Sequence, residues 1–315
     1  MILGVWLMTT ILEISSINIL LLQISQITSF SEAVSSQVDL VQGIIQAFIL
    51  GIVQGITEFL PISSTAHLII FTKVFGWKEL GDKDFVDAIQ FGSVIAILWY
   101  FWSVISSLVK GAIKAFKNKD WEREDWKIVV GIAAGTIPAL TIGFVFKDVI
   151  PENSLIIAIM SIIMAFLLGL AEKIGTRKRG FDALEIRDGI LVGLGQTLAL
   201  VPGVSRSGST LTTSLFLGLK REAAAKFSFL LGFPTLTIAT LYKSLKILKM
   251  FQAHELPDNI VILLIVGIIS TFIFSYLSIA FLIKYLQTKN TLVFVWYRLA
   301  FGISILLAIA AGWPG

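Results

Sequence analysis

The chain has 315 residues, 56% of them hydrophobic and only 15% charged, with a mean hydropathy of +0.87. Soluble globular chains carry roughly 25% charged residues, so the composition excludes a water-soluble domain and indicates a polytopic membrane protein. Cysteine is absent and the net charge is +4. Disulfides, thiolate metal sites and thiol nucleophiles are therefore excluded. The positive balance gives no argument for nucleic acid, because basic residues gather in loops between apolar stretches, as the positive-inside rule requires.

The N-terminal run MILGVWLMTTILEISSINILLL lacks the basic start of a secretory signal peptide, since no lysine or arginine precedes Lys73. It reads as an extra transmembrane helix, and the Ser/Gln-rich stretch after it as a linker, so that 1–40 form an extension. Residues 41–315 read as one membrane domain. The region 41–75 is too long for one span and is broken by Pro61. Candidate spans follow at 85–109, 127–146 and 154–173. The region 187–219 is again broken, by Pro202 and Gly203, before spans at 223–243, 260–284 and 292–311. A helix of about 20 residues crosses a hydrocarbon core of about 30 Å. The halves of the two broken regions are shorter and read as re-entrant helix–turn–helix hairpins, with proline stopping the helix at the turn. The fold class is all-α polytopic, with two hairpins and about six to seven transmembrane helices.

Orientation follows from the loops. Lys110, Lys114, Lys117, Lys119, Arg123 and Lys127 lie in one, and Lys173, Arg177, Lys178, Arg179 and Arg187 in another, whereas 147–153 carries only Lys147. Both basic loops face the cytoplasm if two spans separate them. The first hairpin then enters from outside and the second from the cytoplasm; Lys246 and Lys249, which fall outside, go against this. The hairpins are also alike in sequence: GIVQGITEFLPISSTAHL (51–68) matches GLGQTLALVPGVSRSGSTL (193–211), pairing Gln54 with Gln196, Pro61 with Pro202 and Ser63 with Ser205. DAIQFGS (87–93) and FSFLLGFP (227–234) follow them in turn. Similar elements entering from opposite faces make an inverted repeat, about 41–109 and about 187–243, with its site expected near the midplane.

Gln54 and Glu58 are four apart on a helix and share a face. Ser63, Ser64 and His67 follow at the turn, and Ser205, Arg206 and Ser207 lie at the other turn. Arginine costs about 2.5–3.5 kcal/mol in a membrane on insertion scales, and its planar fork suits phosphate. Small hydroxyls, glycines and helix-start N–H groups complete an anion cradle. Hydroxyl, imidazole and carboxylate are the parts of an activated nucleophile. Together they suggest hydrolysis of a lipid-linked phosphate ester or anhydride. Structural readings stand beside these: Glu58 and Arg206 as each other's counter-ion, the serines as small packing residues, and Gln54 and Gln90 as helix–helix hydrogen-bonding groups. Arg298, about eight residues into its span, either snorkels or adds a second anion contact. The residue types alone do not choose between Ser63 and Ser64.

QGITEFLPISSTAH and LVPGVSRSGST resemble the two signature motifs of the undecaprenyl-diphosphate phosphatase family, membrane enzymes associated with bacitracin resistance. The likeness runs from about residue 41 to the C-terminus and includes IQFGS, FSFLL and WYR at 296–298. It implies hydrolysis of a C55 polyprenyl diphosphate to the monophosphate at an outward-opening site in the cell membrane, recycling the carrier of cell-wall sugars, with Mg²⁺ or Ca²⁺ as cofactor. By motif, Glu58 is a metal ligand or proton-transfer group, Ser64 the nucleophile, His67 its proton-transfer neighbour and Arg206 the diphosphate ligand. Gln54, Ser63, Ser205, Ser207, Gln90 and Arg298 line the substrate site. Gln54 stands where many relatives have glutamate, which removes one charge from a paired-carboxylate metal site. The partners implied are the polyprenyl diphosphate and membrane lipid, with no nucleic acid; a homodimer is left open. A flippase for polyprenyl phosphate is the alternative, since inverted repeats are transporter architecture, although transport needs no nucleophile. A phosphatidic-acid-phosphatase type is rejected, because no histidine follows Arg206 in SGSTLTTSL.

Overall fold

The computed structural model of the protein describes residues 40–77, 83–146, 153–252 and 259–313. The expected N-terminal helix and linker lie outside the described residues, apart from Leu40, which opens the first helix. The described elements are α1 (Leu40–Phe59), α2 (Ser64–Phe75), α3 (Lys83–Ile89), α4 (Phe91–Tyr100), α5 (Trp102–Asn118) and α6 (Glu124–Phe146). They continue with α7 (Ser154–Ile174), α8 (Ile186–Thr197), α9 (Arg206–Phe216), α10 (Arg221–Gln252), α11 (Ile260–Thr288) and α12 (Leu292–Ala310). Six helices are long and apolar enough to cross a membrane, or seven with the bent α3–α5 segment taken as one span. The protein is all-α and multi-pass, as its composition predicts.

The single span expected at 85–109 is corrected. The helix breaks at Phe101, and the two parts meet at 68°. Asp84–Tyr100 alone measures about 26 Å at 1.5 Å per residue, close to a full crossing. Phe101 is buried and packs on Phe229 at 6.3 Å between ring centroids, and Phe229 meets Phe59 edge-on at 5.3 Å. The bend is thus fixed by aromatic packing that reaches the helix end carrying Glu58.

Both hairpins form. The second has arms α8 and α9 of 12 and 11 residues, about 18 Å and 17 Å long and too short to cross. The first has a longer arm, α1, with 20 residues, and a short one, α2, with 12. Pro61–Ser63 at one turn and Pro202–Ser205 at the other are buried. Irregular backbone at membrane depth survives only in such surroundings. The bent segment, α6 and α7 lie between the hairpins; with the bent segment taken as one span they make three crossings, the odd number that entry from opposite faces requires.

Packing between the halves is reciprocal. A Cβ on Gly189 or Gly193 of α8 would overlap the backbone of Gly131 or Gly135 on α6. A Cβ on Gly51 or Gly55 of α1 would likewise overlap Ser270, Thr271 or Ser275 on α11. Each hairpin's first helix therefore lies against a long helix from the other half, at the close backbone approach that small residues permit in membranes. The start of α12 is pinned separately. Buried Glu172 at the end of α7 accepts from Thr291 N at 3.2 Å and Thr291 Oγ1 at 2.8 Å. It also accepts from Arg177 Nη1 at 2.8 Å and from Arg221 Nε at 3.0 Å.

Candidate active site

The site begins with two strained serines. Ser63 caps α2 with φ 77° and ψ 98°, and Ser205 caps α9 with φ 74° and ψ 121°. Non-glycine residues held at positive φ cost about 1–3 kcal/mol and persist only where the surroundings over-determine them. Each side chain accepts from a first-turn N–H, Ala66 N at 3.4 Å and Gly208 N at 3.1 Å. The paired motifs thus adopt the same backbone conformation at equivalent positions. In each hairpin the strained cap aims the next residue, Ser64 in one and Arg206 in the other, at the same group.

That group is Glu58, at the end of α1. Its Oε2 accepts from Ser64 Oγ at 2.7 Å, Gln54 Nε2 at 3.0 Å and Gln90 Nε2 at 3.4 Å. Its Oε1 accepts from Arg206 Nη2 at 2.7 Å. Both glutamines therefore spend an amide N–H on Glu58. Four of the expected residues converge on the fifth, from α1, α2, α9 and the junction of α3 with α4. Ser207 joins the turns by donating from Oγ to the Leu60 carbonyl at 3.0 Å, and its hydroxyl lies 3.2 Å from that of Ser205.

Arg206 is incompletely satisfied. One Nη2 bond goes to Glu58, while Nε and Nη1 are buried without a partner among the described residues. A buried donor left unpaired costs about 1–3 kcal/mol, more when charged, so two in one guanidinium mark a site that an anion completes. Gly232 on α10 makes room for this group, since a Cβ there would overlap Arg206 Nη1. Sequence reasoning missed Gly232, although its place in FSFLLGFP, the counterpart of DAIQFGS, was a signal. Gly232→Ala is expected to fold but displace the guanidinium from Glu58, lowering kcat/KM by about 10- to 100-fold, the usual cost of a 1 Å misplacement. An unchanged kcat/KM would show that the guanidinium position is unimportant.

His67 lies elsewhere than its neighbours in the motif suggested. Its Nδ1 is 2.8 Å from the Ser63 carbonyl and its Nε2 is 2.7 Å from the Tyr297 hydroxyl. Among the described residues, neither nitrogen bonds to Ser64 or Glu58. A carbonyl only accepts, so Nδ1 carries the proton and Nε2 accepts from Tyr297. The ring also stacks on Phe301 at 4.2 Å between centroids. His67 therefore braces the carbonyl of strained Ser63. Tyr297 is a second residue that sequence reasoning passed over, though it adjoins Arg298 in WYR.

Arg298 is 1% exposed and points neither to an interface nor to an open anion site. Its Nη1 donates to the Pro61 carbonyl at 3.0 Å, its Nη2 to the Gly203 carbonyl at 2.6 Å and its Nε to the Ser161 carbonyl at 3.3 Å. One guanidinium thus holds both turns. Gly203 suits its role twice over: its φ is +93°, and a Cβ would fall 2.6 Å from the Ile157 carbonyl.

The Mg²⁺ or Ca²⁺ implied by resemblance finds no matching donor set among the described residues. Among the described residues no three His, Cys, Asp or Glu side chains converge. Glu58 already faces a guanidinium and three neutral donors. Hard divalent cations take several oxygen ligands, carboxylates foremost, and Gln54 supplies none that is charged. The one cation paired with Glu58 is the Arg206 guanidinium, which balances its charge.

The family profile described as bacitracin resistance protein BacA matches residues 47–304, which include both hairpin turns. Curated relatives called undecaprenyl-diphosphatase align over 85% of the chain. The one from Thermosynechococcus vestitus is 53% identical over 272 residues, 85% of this chain and 96% of its own. Those from Trichormus variabilis and Synechocystis sp. are 51% and 49% identical, covering 85% of this chain and 85% and 82% of theirs.

Proposed function

The chain belongs to the bacitracin resistance protein BacA family, and from that premise we infer that it is an undecaprenyl-diphosphate phosphatase, releasing inorganic phosphate and returning the monophosphate lipid carrier for cell-wall synthesis. The observation that carries this reading is the Ser64–Glu58–Arg206 junction. A hydroxyl sits 2.7 Å from a carboxylate oxygen, and a guanidinium beside it has donors to spare.

The reaction derives from these residues. The diphosphate occupies the orphan donors of Arg206 and the helix-start N–H groups of α2 and α9, which are oriented for anions. Ser64 Oγ attacks the terminal phosphorus and passes its proton to Glu58 Oε2. The bridging P–O bond breaks, and the lipid monophosphate leaves with the bridging oxygen, which takes the proton from Glu58 and restores its carboxylate. Water, deprotonated in turn by Glu58, then cleaves the phosphoserine and releases inorganic phosphate. Arg206 neutralises charge on the transferring phosphoryl group, a large term when such a donor is preorganised away from water. Gln54 and Gln90 hold the carboxylate in line, and His67 keeps the Ser63–Ser64 turn in register. The positive-inside distribution supports a site that opens toward the outer face of the cell membrane.

The test is rapid-quench turnover of C55 polyprenyl diphosphate labelled on its terminal phosphate. Acid-stable label on Ser64 that appears before free phosphate supports serine attack, and Ser64→Ala abolishes it. Phosphate release with no protein-bound label at any time in the quench record would assign the attack to water instead.

A further inference from the structure

The helix beyond the bend, α5, divides into three faces. At 100° per residue, Leu108, Gly111, Ala112 and Ala115 fall on one side and are buried. The next sector holds Trp102, Val109, Ile113 and Phe116, all exposed. The sector after that holds Lys110, Lys114 and Lys117, also exposed. A helix with one face packed on protein, an apolar edge and a lysine edge beside it has the pattern of one lying in the membrane interface. Two further observations point the same way. The helix turns off by 68° after Asp84–Tyr100 has nearly completed a crossing. At its end Phe116, Trp121 and Trp126 cluster with centroids 4.9–5.9 Å apart, and aromatic rings mark interfacial depth.

We propose that α5 is a cytoplasmic-face docking surface for anionic lipid headgroups, its apolar edge set among acyl chains and Lys110, Lys114 and Lys117 paired with headgroup phosphates. The choice of anionic over zwitterionic lipid rests on charge complementarity. The three lysines lie about one turn apart on a single edge, and none is drawn away by a carboxylate among the ion pairs of the described residues. The surface is separate from the Glu58–Arg206 site and does not depend on how phosphate is released there.

The experiment is native mass spectrometry of the purified full chain in detergent, titrated with equal phosphatidylglycerol and phosphatidylcholine. Each basic residue near an anionic surface contributes roughly a fivefold preference. The wild type is therefore expected to favour phosphatidylglycerol by about tenfold or more, and Lys110→Gln/Lys114→Gln/Lys117→Gln to bring the two lipids near parity. A control with the same charge change elsewhere, Lys173→Gln/Lys178→Gln/Lys220→Gln, keeps the preference. Phosphate release in detergent reports that the α5 variant is folded. Equal retention of both lipids by the wild type overturns the proposal, as does a preference that survives in a folded α5 variant or falls as far in the control.

Discussion

Ser64→Ala and Glu58→Gln are each expected to lower kcat for phosphate release by about 10²- to 10⁴-fold, the range of a positioned general base, and the double variant to fall little further. The reason is the 2.7 Å bond between Ser64 Oγ and Glu58 Oε2: a nucleophile without its base and a base without its nucleophile fail at the same step. Groups that act as a unit are strongly non-additive. The two variants should differ in stability. Ser64→Ala removes one hydroxyl from a partly buried position, whereas Glu58→Gln leaves the partly buried Arg206 without its counter-ion. Breaking one side of such a pair costs about 3–5 kcal/mol, so Glu58→Gln should unfold at lower temperature. Single-turnover kinetics on the three variants is the measurement. Multiplicative losses in the double variant would mean that Ser64 and Glu58 serve separate steps and would sink the dyad.

Arg298→Lys is expected to lower both the unfolding temperature and kcat while leaving KM within a few-fold. The guanidinium fork donates to Pro61 and Gly203 carbonyls on opposite hairpins. An ammonium on a single stem does not span both, and each buried carbonyl left without a donor costs about 1–3 kcal/mol. The two strained caps would then be less well held, and Ser64 and Arg206 would drift from Glu58 together. If Arg298 instead gripped the substrate's phosphates, the same variant would raise KM by an order of magnitude with its unfolding temperature unchanged. Kinetics and thermal unfolding on one preparation separate the two roles.

Much of the site was legible because the chemistry is local to two short motifs. Polar and ionisable residues at membrane depth are functional by default, and Glu58 and Arg206 stand out against an apolar background. Their pairing was one of the readings open from sequence, and the coordinates place it at 2.7 Å. Ser63 and Ser64 were indistinguishable as residue types. What separates them is the positive-φ cap at Ser63, which turns Ser63 back to its own helix and sends Ser64 to Glu58. His67 illustrates the limit of adjacency. Being three residues beyond Ser64 on a helix puts it near the serine along the chain, yet its ring is claimed by Tyr297 and Phe301 from α12, more than 200 residues away in sequence.

The sequence by itself determined the membrane class, the two proline-broken hairpins, their likeness to one another and the polar residues that gather at Glu58. Those are properties of composition, hydropathy and local motif, each readable within a window of about 20 residues. Only the tertiary structure decided which side chain meets which. It broke the span at Phe101 through packing on Phe229, gave Arg206 its space at Gly232 and assigned Arg298 to the carbonyls of both turns. The physical reason is common to all three. A buried polar or aromatic group takes its partners from whatever the fold brings within a few ångströms, and those partners come from helices far apart in the chain.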